Sequence, residues 1–133
     1  MVEMEKIDKV KQGKRNRAKG ARFELKVRND LEEKGWIVDR WTNNVEEGRL
    51  VKAKSNRFRM RTMGFPDLIA LKQMPTHEAT SAPFQVVLIE CKVNGYLTKE
   101  EKEKCAWLKT NIFYDIFIAS EGEKPDEIIY DKF

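Results

Sequence analysis

A chain of 133 residues with an ordinary apolar fraction is long enough to bury one core without disulfide or metal staples. Two cysteines and a single histidine exclude a disulfide framework and a structural zinc site, and no segment approaches the length of a membrane span. The net charge of +4 understates the basic character: Lys6 to Lys19 holds seven Lys or Arg against one acid, and Arg49 to Arg61 holds six against none. Such runs suit a polyanion, with nucleic acid or an anionic membrane surface as candidates, although either run alone also fits a solvated tail or loop.

Residues 1–17 offer little to bury and are expected to form a mobile basic arm ahead of a single domain spanning 18–133. From Ala18 to Lys34 the apolar spacing predicts a helix, closed by Gly35 at its C′ position. Trp36–Trp41 reads as a strand followed by the turn-prone Thr42-Asn43-Asn44. Residues 45–64 read as a basic loop or hairpin insertion, with strands over 50–54 and 57–62 turning at Ser55-Asn56. Asp67–Lys72 and Gln85–Lys92 are buried strands joined by a polar loop holding Pro75 and Pro83. Thr98 and Glu101 form a capping box that opens a helix to about Thr110. Tyr114–Ala119 is a last core strand, and Ile128-Ile129-Tyr130 adds a short edge. Strands that are apolar on both faces require cover on both faces, so the fold class is α/β: a central mixed sheet flanked by two main helices, in the order α-β-β-β-α-β around the insertion. Trp36, Trp41 and Trp107 are assigned to the core, as are the thiols of Cys91 and Cys105. Without a signal peptide's apolar segment, the chain is expected in the cytoplasm, of a prokaryotic cell or of the host of a virus or phage.

Three carboxylates interrupt this burial pattern. Glu24 lies on the apolar face of the first helix with Val27 and Leu31, Asp67 starts one buried strand, and Glu90 ends the other. If the two strands pair antiparallel, Lys72 faces Gln85, and the same register sets Asp67 beside Glu90. Two carboxylates meeting at a sheet end repel and are costly to desolvate unless a cation lies between them, and oxygen ligands favour Mg²⁺ or Mn²⁺ over zinc. Lys92, on the same strand face as Glu90, points at whatever such an ion would hold. Each residue also has a plain structural alternative: Glu24 paired with Arg28 at i+4, Asp67 as a turn residue, Glu90 with Lys92 as a strand-end ion pair.

Pro66-Asp67 followed by Glu90-Cys91-Lys92, with helical Glu24 upstream, resembles the motif of the PD-(D/E)XK nucleases of restriction-endonuclease-like fold. Lys19-Gly20, the helix running to Lys34-Gly35-Trp36, Asp67-Leu-Ile-Ala, Ile89-Glu-Cys-Lys and Tyr96-Leu97 are most similar to the archaeal-type Holliday junction resolvases, over about residues 15–120. The resemblance departs at 42–64, which is longer, at Val93-Asn94-Gly95, which is less basic, and at Glu101 or Lys102, where many related nucleases carry glutamine. It implies a Mg²⁺-dependent endonuclease, with Mn²⁺ as a substitute, acting on branched DNA as a homodimer. Asp67, Glu90 and the Cys91 backbone carbonyl would bind the ion, Glu24 would complete the site directly or through water, and Lys92 would serve catalysis. Tyr96 would line the site or serve as a core or rim aromatic. Lys14, Arg15, Arg17 and Lys19 in the first basic run, with Arg49, Lys52, Lys54, Arg57, Arg59 and Arg61 in the second, are the candidate DNA-binding cations. Two alternatives stand beside this: a nuclease for another DNA structure (flap, nick, single strand, or non-specific), and a non-catalytic basic nucleic-acid-binding module whose acidic cluster is structural.

Overall fold

In the computed structural model, which describes residues 2–52, 64–73, 84–112 and 115–133, the basic N-terminal run is not an irregular arm. It is the first half of one 32-residue helix, α1 (Val2–Glu33), about 48 Å long at 1.5 Å per residue. Propensity explains the correction. The run is rich in Lys, Arg, Glu and Gln, holds no proline, and is interrupted only by Gly13 and Gly20, so its charge does not prevent a helix. Among its described side chains, α1 buries only from Phe23 onward: Phe23, Glu24, Val27 and Leu31 form its inner face. The helix ends as expected at Gly35, whose φ of +92° suits a residue without Cβ. The Trp36 N–H donates to Leu31 O and the Gly35 N–H to Glu32 O, both at 3.0 Å, a Schellman closure.

Among the described residues, five strands form one sheet: β1 (Ile37–Arg40), β4 (Leu68–Gln73), β5 (Phe84–Cys91), β6 (Asp115–Glu121) and β7 (Ile128–Lys132). They lie side by side in the order β1-β4-β5-β6-β7. The β5–β6 pair is parallel and the other neighbours are antiparallel. The parallel pair is made possible by α2 (Lys99–Asn111), which carries the chain back between its two strands. The capping box opening α2 is present, with the Thr98 hydroxyl accepting from the Glu101 N–H at 3.2 Å and Glu101 Oε1 accepting from the Thr98 N–H at 2.9 Å.

Alternation along β5 sorts the core into two layers. Val87 and Ile89 pack with Leu68, Ala70 and Ala119 under the Phe23–Val27–Leu31 face of α1. Leu88 packs on the other side with Ile116, Ile118 and the Cys105–Leu108 face of α2. Cys105 is buried and Cys91 half-buried, both as free thiols. The three tryptophans pack against these layers but are half-buried at their rims.

A small second sheet replaces part of the expected insertion: β2 (Asn44–Glu46) pairs with β3 (Arg49–Val51). Its two-residue turn is Glu47-Gly48, with φ of +49° and +68°, as a type I′ hairpin requires. The sequence signal was weak because Glu rarely takes positive φ. The turn expected at Ser55-Asn56, and the polar loop around Pro75 and Pro83, lie outside the described residues. No helix among the described residues is long and apolar enough to cross a membrane.

Candidate functional site

The β4–β5 register delivers the first two carboxylates. Lys72 pairs with Gln85 and Leu68 with Ile89, so one step further Asp67 stands opposite Glu90. Strand parity puts both on the α2 side of the sheet, with Ile69 and Leu88. The Asp67 carboxylate is pinned by the Cys91 N–H, which donates to Oδ2 at 2.8 Å. Glu90 is 3% exposed and hydrogen-bonded to Asp67. Burial, and then the Asp67 hydrogen bond and charge, raise the Glu90 carboxyl well above the ordinary carboxylate range. Glu90 therefore keeps its proton, hydrogen-bonded to Asp67, when nothing else neutralises it. Burial also drives the Cys91 thiol upward, so it is no nucleophile.

Glu24 reaches the same place from the other layer. It is 7% exposed, and burial followed by the charge of Asp67 raises its carboxyl. Its ion-pair partner is Arg40 at the end of β1, 3.5 Å away, and not Arg28. Glu24, Asp67, Glu90 and Lys92 all line one cleft of about 540 Å³, together with Gly20, Asn44, Phe65, Glu101 and Lys104.

Lys92, on the same face as Glu90, is held at 2.5 Å by Glu101. Burial works against its charge, but the Glu101 hydrogen bond and the nearby carboxylates outweigh it and hold the ammonium above its ordinary range. For Glu101 the balance runs the other way: burial is outweighed by Lys92 and by Thr98, and its carboxyl is held low.

The sequence reading does not assign Asn44, Glu101 and Lys104, which line the cleft, or Arg40, which pairs with Glu24, to the site. Lys104 reaches Asn44 Oδ1 at 3.1 Å and lies 5.7 Å above the Phe65 ring. The signal for Glu101 and Lys104 was available, since both share the inner stripe of α2 with Cys105 and Leu108, at the spacing that drew attention to Glu24 on α1. Tyr96 is 79% exposed and so is not a core aromatic.

Of the candidate DNA-binding cations, Lys14, Arg15, Arg17 and Lys19 are exposed on the part of α1 that precedes its buried face. Lys19 lines a groove with Asn16, Val93 and Asn94 that shares Gly20 with the acidic cleft. Arg49 and Lys52 are exposed at the β2–β3 hairpin. Lys54, Arg57, Arg59 and Arg61 lie outside the described residues.

Among the described residues, no three His, Cys, Asp or Glu side chains are arranged to hold a metal ion. Arg40 and Lys92 occupy Glu24 and Glu101, which leaves Asp67 and Glu90 as the available pair. That pair fits a hard divalent cation: both donors are carboxylate oxygens, and the buried Glu90 carboxyl, raised by burial and by the adjacent Asp67 charge, marks where positive charge is needed. No family model, curated protein or solved structure matches this chain.

Proposed function

We propose that the chain is a Mg²⁺-dependent endodeoxyribonuclease of the PD-(D/E)XK type, with a restriction-endonuclease-like core. One observation carries the reading: Asp67, Glu90 and Lys92, from two adjacent strand ends, meet the helical Glu24 in a single cleft. The five-stranded mixed sheet between two helices is compatible with that core. Asp67 and Glu90 would hold the ion, with the Cys91 carbonyl as a further oxygen donor and Glu24 bound directly or through water; Mn²⁺ would substitute for Mg²⁺. When bound, the ion polarises the scissile phosphate and acidifies a water molecule. The Lys92 ammonium, kept charged by its carboxylate neighbours, offsets negative charge that grows on the phosphate oxygens. Arg40 restrains Glu24 at the wall of the cleft.

Branched DNA is the substrate proposed, processed by a cytoplasmic homodimer that places two such centres on one four-way junction. The basic half of α1 runs toward the cleft, so phosphate binding along it would follow branch shape and carry no base preference. The test is a panel of four-way junction, flap, nicked, single-stranded and linear duplex DNA of shared sequence, with Mg²⁺. Paired symmetric nicks in the junction, and a dimer by light scattering, are expected. Equal cutting of duplex and junction, or a monomer even on DNA, rejects the junction specificity. No cutting of any substrate rejects the nuclease and leaves a binding module.

A basic helix that only touches phosphates should alter affinity and leave chemistry alone. For the Lys14→Ala/Arg15→Ala/Arg17→Ala variant, the slope of log K against log salt on duplex arms is expected to fall by about 0.9 for each phosphate no longer neutralised. Fluorescence anisotropy over a salt series measures it, and an unchanged slope would show that these cations do not touch DNA.

A further inference from the structure

Glu101 does more than a helix cap requires. Its Oε1 accepts from the Thr98 N–H at 2.9 Å, which completes the capping box. Its Oε2 holds Lys92 Nζ at 2.5 Å. A cap takes Glu or Gln at this position with equal success, so the cap explains one oxygen and not the charge on the second. Lys92 needs that charge. A lysine side chain has a long flexible stem and a mobile point charge, and leaves its geometry to its partner. The two carboxylates nearest in the strand register, Asp67 and Glu90, already engage each other. Both members of the Lys92–Glu101 pair are mostly shielded, with side chains 29% and 17% exposed.

We infer that Glu101 is the positioning residue for Lys92: it uses the first turn of α2 as a fixed post from which the ammonium is aimed across the cleft beside Asp67 and Glu90. This rests on the nuclease reading for the task Lys92 performs, and adds the residue that sets its geometry. Anchorage at both oxygens gives the post its rigidity, because Glu101 cannot turn away from Lys92 without also breaking the cap.

The two roles of Glu101 separate by substitution. Glu101→Gln keeps the cap and removes the charge; Thr98→Ala removes part of the cap and keeps the charge. Single-turnover cleavage, DNA affinity, thermal unfolding and the ¹⁵N-detected ammonium resonance of Lys92 would be measured on the full chain. For Glu101→Gln, unfolding and affinity should match wild type. Its cleavage rate should fall roughly tenfold to a hundredfold, the usual loss when an orienting group is removed. The Lys92 ammonium signal, sharp in wild type because the group is held, should broaden or vanish. For Thr98→Ala, the melting temperature should drop, with the resonance and the rate at 20 °C retained. A persisting Lys92 signal in Glu101→Gln, or an unchanged cleavage rate, overturns the positioning role alone. A wild type that cuts nothing overturns the nuclease reading, and the role given to Glu101 falls with it.

Discussion

The Asp67→Asn and Lys92→Ala variants are expected to keep DNA binding close to wild type and to lose cleavage by roughly 10²- to 10³-fold or more, the scale on which removal of a preorganised charge-stabilising group is felt. The two losses have different causes. Asp67 is pinned by the Cys91 N–H, and among the described residues of the cleft's inner cluster it and Glu90 are the carboxylates not already paired with a cationic side chain. Asn in its place keeps the shape but cannot neutralise a divalent cation. Lys92 sits on the same strand face as Glu90, so Ala removes positive charge where phosphate oxygens would gather negative charge. Binding is spared because the exposed cations of α1 and the β2–β3 hairpin are untouched. Removing the Asp67 charge should even favour a polyanion, since it deletes a repulsive group from the cleft. Single-turnover cleavage with anisotropy on the same DNA separates the two effects. Replacement of Mg²⁺ by Ca²⁺ should arrest wild type in the same bound, uncut state, because Ca²⁺ accepts the oxygen ligands but activates water less. Full activity in excess EDTA would remove the metal from the mechanism.

A second large effect concerns stability and pH. Glu90 is buried and faces Asp67, so its folded carboxyl titrates above the unfolded value of 4.5. The sign follows from proton counting. Above pH 4.5 the unfolded chain releases this proton and the folded chain keeps it, so stability falls as pH rises until the folded group also ionises. Glu90→Gln supplies a neutral side chain that needs no proton and can still donate to Asp67. Holding a proton from 4.5 up to neutrality costs about 1.4 kcal/mol per pH unit, so the variant should be more stable than wild type by up to about 3 kcal/mol at pH 7. The advantage should shrink to nothing near pH 4, where both chains carry a neutral group. Urea unfolding at pH 4, 5.5, 7 and 8 reads this directly. Millimolar Mg²⁺ should raise wild-type stability at pH 7 and leave Glu90→Gln nearly unchanged. A variant less stable than wild type at every pH would show that Glu90 is ionised and well paired in the fold.

How far these residues could be read in advance depended on which physical rule dominated locally. Strand alternation and the antiparallel pairing of two apolar runs fix the Asp67–Glu90 juxtaposition, because a slip of one residue would bury every wrong side chain. The capping box and Gly35 were equally legible, since each rests on local chemistry that tertiary packing does not override. The N-terminal run misled because charge was weighed over helix propensity. The hairpin at Asn44–Val51 was missed because its turn uses a glutamate at positive φ. Arg40 and Lys104 became visible only when β1 and α2 were set around the cleft, for their partners Glu24 and Asn44 are 16 and 60 positions away in sequence.

The alternation along β5 has a consequence for how the gene can vary. Odd positions there feed one layer of the interior, while even positions feed the other layer and, at 90 and just past the strand at 92, the carboxylate and ammonium of the cleft. Packing and the charged lining of the cleft are thus written on the same parity. A single-codon insertion or deletion between Val86 and Lys92 would exchange the two layers and at once turn Glu90 and Lys92 toward α1, so it would destroy fold and site together. Codons added between Gln73 and Phe84 shift no parity within either strand and leave Asp67 facing Glu90. Viable length variants should therefore cluster in that connection and be missing from the strands on either side of it.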